Sequence, residues 1–179
     1  MKRILLIGVL VILLALALPA TVSASTPPNN LAVVAGNVKE SIELTVTGSI
    51  ADWPLEVDSA NDNEKTVGVD MNVKSTTGWS VGVADMMDES KTAGSAGKMV
   101  QYDASAYGTK VLTNALNVKS VGSVIDYVTL TGTKTAIQTG SATSGTDYDI
   151  GFKQKIAYTD EKLTTGSYRI IVTFLGSNT

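Results

Sequence analysis

A chain of 179 residues with 14 basic and 17 acidic side chains, a net charge of −3 and neither cysteine nor histidine excludes more chemistry than it admits. It offers no Ser-His-Asp triad, thiol nucleophile, imidazole base or disulfide, and it lacks the usual ligands of zinc, haem, iron–sulfur and blue-copper centres. Its scattered acidic excess opposes the clustered Lys and Arg that a phosphate backbone requires, so nucleic acid is not an expected partner.

Lys2 and Arg3 precede an apolar run from Ile4 to Leu18, then Pro19 and a small-residue exit, Val22-Ser23-Ala24. That is the layout of a secretory signal, and the apolar run is shorter than the roughly twenty residues a spanning helix needs. Residues 1–24 are therefore expected to be cleaved, leaving an extracellular or cell-surface protein without a membrane segment. Losing Lys2 and Arg3 takes the charge from −3 to −5. What remains is the size of one domain.

Residues 25–40 read as a leader. Pro27-Pro28-Asn29-Asn30 opposes helix, and Leu31, Ala32, Val33, Val34 and Ala35 form a short apolar segment behind it. This segment reads as an edge strand of its own domain or as a donor strand that completes the sheet of a neighbour, since an open edge is a template for strand addition. A head-to-tail exchange of that kind does not close and builds a filament.

Residues 41–179 predict an all-β domain. Ile42, Leu44 and Val46 alternate with polar residues, as do Val67, Val69, Met71 and Val73. Trp79, Val81 and Val83 continue the pattern, then Leu116 with Val118, then Tyr148, Ile150, Phe152 and Ile156. The final segment sets Tyr168, Ile170, Val172 and Phe174 on one face. Weaker strand signals cover 31–35, 53–57, 98–102, 127–130 and 135–138. About nine to eleven strands with Gly, Asp and Asn turns between them predict an antiparallel β-sandwich of jelly-roll or Ig-like type. Hairpins are expected at Ser75–Trp79 and Asp160–Ser167, and a single helical turn is hinted at over Ala84–Lys91.

Few residues stand out for function. Trp79, in phase with Val81 and Val83, reads as core. Trp53, next to Pro54, reads as core or as an exposed ring that stacks on a sugar or a partner. Asp58, Asp62 and Glu64, in one turn-like stretch, are the candidate calcium ligands, although their spacing is not that of an EF-hand. Asp147 and Asp149 flank Tyr148 and point together to a wet sheet face. Ser95 and Lys98 match S-x-x-K in a Gly-rich loop that lacks its companion motifs. No other cofactor is expected, and no paired carboxylates declare an enzyme.

Trp53-Pro54-Leu55, Gly78-Trp79-Ser80-Val81 and Gly166–Phe174 resemble the two Trp-containing motifs and closing strand of the WxL family of bacterial cell-wall surface proteins. The resemblance implies an all-β exported protein that associates non-covalently with peptidoglycan or with other surface proteins. The layout of signal, short apolar strand and cysteine-free β-domain is also similar to filament subunits of the TasA and camelysin group and to archaeal bundling pili, which implies linkage by donor strands. The expectation is a non-enzymatic surface or matrix protein that self-associates or contacts other surface proteins. The alternative is a module that binds a cell-wall polymer or glycan.

Overall fold

Alternation of buried with exposed or half-buried side chains, which pleated backbone imposes on a half-covered sheet, runs through Val69–Ser75. The computed structural model describes residues 35–57, 63–86 and 91–179. Twelve strands and no helix occur among them. In chain order they are β1 (Ile42–Gly48), β2 (Asn63–Lys65), β3 (Val69–Ser75), β4 (Trp79–Ala84), β5 (Val100–Asp103) and β6 (Ala106–Val111). The second half holds β7 (Asn117–Ser120), β8 (Val128–Thr129), β9 (Thr135–Gly140), β10 (Thr143–Gln154), β11 (Ser167–Arg169) and β12 (Thr173–Asn178). By contact the chain groups as Met1–Asn37 and Val38–Thr179, and the second unit holds all twelve strands.

The main sheet runs β1-β3-β10-β7-β8, with β2 also paired to β10. A second sheet runs β12-β4-β9 and a third β11-β5-β6, every pairing antiparallel. The fold is an all-β sandwich, as the alternation predicts. In β3, Val69, Met71, Val73 and Ser75 are buried, while Asp70 and Lys74 are exposed. They meet Trp79, Val81 and Val83 from β4, Ile137 from β9, Val118 from β7, and Ile150 and Phe152 from β10 in one core. Each such side chain contributes about 1.5–3 kcal/mol by leaving water. Trp79 ties the β12-β4-β9 sheet to the main sheet. Its ring lies edge-on to Tyr148 of the main sheet, with centroids 5.9 Å apart, and its Nε1–H donates to Ser141 O at 2.8 Å.

Several expectations are corrected. Ser75–Trp79 is not a hairpin, because β3 and β4 belong to different sheets and the turn carries the chain across the core. Asp160–Ser167 is not one either, since β10 pairs with β2, β3 and β7 whereas β11 pairs with β5. The closing segment keeps its alternation but not its ladder. Tyr168, Ile170, Val172 and Phe174 all pack on the core, yet β11 pairs with β5 and β12 with β4, so the strand changes sheets at 170–172. Residues 53–57 are outside regular structure, and Val67 stands 61% exposed in the kink between β2 and β3 at Gly68, whose φ is +106°. The signal, Leu31–Val34, Asp58, Asp62 and residues 87–90 of the hinted helical turn lie outside the described residues. Ala35 is exposed and not in a strand.

Candidate functional site

The strands differ in how well their edges are protected. β1 pairs with β3 through seven successive residue pairs without a register shift, and no strand among the described residues pairs its other edge. It contains no proline, and its inward residues Ile42 and Leu44 pack on the core. Bulges, prolines and short length are the usual means by which a sheet edge is made unattractive to other chains, and β1 has none of them. Other edges do. β8 has two residues, β11 three, and β9 is bulged opposite Val81 and Gly82. β12 is the exception: it pairs with β4 through six residues without a register shift, and no strand among the described residues pairs its other edge.

Backbone geometry fixes what the β1 edge presents. Thr76 N–H donates to Ser41 O at 3.1 Å, so Ser41 faces β3. By antiparallel alternation the N–H and C=O of Ile42, Leu44 and Val46 face outward. Thr76 also anchors the approach to the strand, its hydroxyl accepting from Ser41 N–H and donating to Lys39 O.

The sequence-selected residues fall elsewhere. Trp53 is half-buried and packs on the core beside Leu55, following Asp52 at φ +51°. Glu64 is not in a turn but in β2, opposite Lys153. Tyr127 Oη donates to Glu64 Oε1 at 2.5 Å, and Lys119 and Lys153 stand 3.8 and 3.9 Å from the carboxylate. Both lysines also lie over the Tyr127 ring, at 4.3 and 5.0 Å from its centroid. Burial, then the bond to Glu64 and the charges of Glu64 and Asp126, push the Tyr127 phenol well above its ordinary value. This carboxylate is already engaged by three side chains. Among the described residues, no group of three or more His, Cys, Asp or Glu is placed to hold a metal ion.

Two further clusters were not legible in sequence. Asp70 and Asp149 are direct cross-strand partners, with Asp147 one step along accepting from Asn72 Nδ2 at 2.7 Å. The hydrogen bond with Asp149 is the main reason that the Asp70 carboxyl is raised above the ordinary aspartate value, with the charges of Asp149 and Asp147 adding to it. At the β5–β6 turn, Ala104 and Ser105 both have positive φ, +44° and +74°, beneath the Tyr102–Tyr107 edge-on pair and with Arg169 4.3 Å over the Tyr102 ring. The signals that could have found them are Asp-Tyr-Asp, which names only one side of its contact, and Tyr-Asp-Ala-Ser-Ala-Tyr, which holds both tyrosines but not Arg169. No protein-family model matches the chain, and no curated protein matches it.

Proposed function

We propose that this is an exported, non-enzymatic structural protein of a cell surface or extracellular matrix, which self-associates by strand addition along the outer edge of β1. The observation that carries this reading is the unprotected edge itself, seven regular residues whose outward N–H and C=O groups have no strand beside them among the described residues. The added strand is the apolar segment Leu31–Ala35 of a second copy. Main-chain hydrogen bonds supply the affinity, and apolar side chains on alternate positions supply the fit. Because donor and acceptor are different parts of the chain, the contact is head-to-tail and propagates. The resemblance to WxL and TasA-type surface proteins agrees with this placement outside the cell.

The test is electron microscopy of the purified protein beside Val46→Pro and a variant lacking Leu31–Ala35. Proline at Val46 removes an outward N–H without touching the β3 ladder, a place where edge strands accept it. Filaments from the wild type alone, with both variants folded by circular dichroism, are expected. A wild type that stays monodisperse, or filaments that persist in Val46→Pro, overturns the reading.

A further inference from the structure

Asp85 follows β4 directly, and Lys91 lies six positions later. Their side chains are 3% and 1% exposed, and Lys91 Nζ sits 2.6 Å from Asp85 Oδ2. The carboxylate is held from several sides. Gly97 N–H donates to the same Oδ2 at 2.7 Å, and Asp85 N–H donates to Thr131 O at 2.8 Å. Gly97 is itself fixed, since its carbonyl accepts from Leu116 N–H at 2.8 Å. An amine and a carboxyl are thus kept in contact, in fixed orientation, where water does not reach.

We propose that Asp85 and Lys91 condense to an intramolecular amide, a covalent staple between the end of β4 and the segment that leads into β5. With Nζ at 2.6 Å from Oδ2, Cγ lies within about 4 Å of the amine. That is one small rotamer adjustment from the roughly 3–3.5 Å of a near-attack geometry. A proton crosses the contact from Nζ to Oδ2, and the amine lone pair then forms the Nζ–Cγ bond. The tetrahedral intermediate passes a second Nζ proton to Oδ2 and breaks the Cγ–Oδ2 bond, releasing one water. Oδ1 remains as the amide oxygen. The Gly97 N–H holds Oδ2 in place beside the amine until that oxygen leaves as water. Condensation needs no oxidant or other reactant. It replaces two charges buried away from water, a costly arrangement, by one neutral amide. In a chain without cysteine it supplies the cross-link that disulfides provide in other exported domains.

Tryptic digestion of the purified, unfolded wild-type protein tests this. Trypsin cuts after Lys74, Lys91 and Lys98 in an unmodified chain. The expected product is a peptide spanning 75–98, uncut at Lys91, lighter than its sequence by one water, and giving no fragment ions between 85 and 91. Lys91→Arg, which keeps a cation but removes the nucleophilic amine, is expected to give an intact chain of full mass. A wild-type peptide cut at Lys91 with its full mass overturns the proposal. So does one lighter by a water but still cut there, because dehydration of Asp85 onto its own backbone leaves Lys91 free. If Lys91→Arg does not fold, the wild-type peptide decides alone.

Discussion

Trp79 and Gly140 face each other across the β4–β9 ladder, and the indole lies so close over the glycine that a Cβ built there would stand 2.5 Å from Trp79 Cζ2. The absence of a side chain at 140 lets the ring turn inward, reach Tyr148 and donate to Ser141 O. Gly140→Ala is therefore expected to destabilise the domain by about 1–3 kcal/mol, the usual cost of overpacking. Urea denaturation followed by Trp fluorescence measures it. Trp79→Ala, which empties the same space, should cost about 3–5 kcal/mol.

The β5–β6 turn is expected to respond in the opposite direction. Ala104 and Ser105 hold left-handed backbone at both central positions, which suits Asn and Gly far better than side chains without that tolerance. Replacing the pair by Asn-Gly should stabilise the protein by about 1–2 kcal/mol. Thermal unfolding checks the gain, and an unchanged midpoint would show that the turn is not strained.

Asp70 gives a pH dependence whose sign is fixed. Its carboxyl is raised in the folded state by Asp149 and Asp147, so the native protein binds more protons than the unfolded chain just above the ordinary aspartate value. Stability from this group is present below that value and is lost as pH rises through the raised one. Asp149→Asn should remove most of that loss, leaving the protein more stable at neutral pH and flatter with pH in the acid range. Denaturant midpoints across that range are the measurement.

Tyr127 works the same way at the alkaline end. Its phenol is raised chiefly by burial and secondly by Glu64, so unfolded chains ionise it first and stability should fall as pH rises above about 10. Phenolate absorbance should show Tyr127 still protonated where an ordinary phenol has ionised, with Tyr168 also raised, chiefly by its own burial. Glu64→Gln should bring Tyr127 only part of the way back, because burial remains.

The strands that were legible in sequence are those whose two faces see different surroundings. β1, β3 and β4 announce themselves through Ile42 and Leu44, Met71 and Val73, and Val81 and Val83, because alternation records burial directly. Alternation does not record the partner. Tyr168 to Phe174 keeps one face on the core while passing from β5 to β4, and nothing local marks the switch. The turn residues at Thr76-Thr77-Gly78 reveal a reversal but not that it crosses between sheets. β2, read as Asn-Glu-Lys, has no apolar residue to betray it and is held by distant groups. Asn63 Nδ2 donates to Glu56 O and Gln154 O, and its Oδ1 accepts from Glu56 N–H. Glu64 looked like a loop acid for the same reason, since the lysines and tyrosine around it come from 119, 127 and 153.

β10 lies in the middle of the main sheet yet is made near the end of the chain, and β12, which completes the sheet around β4, closes one residue before the last. During synthesis β3 and β7 must wait more than seventy and about thirty residues, respectively, for the strand that separates them. β1 with β3, β4 with β9, β5 with β6 and β7 with β8 can pair before β10 exists, but the two halves of the main sheet cannot join until it is made. The strand at the centre of the main sheet is thus the joint between two halves that share no ladder without it.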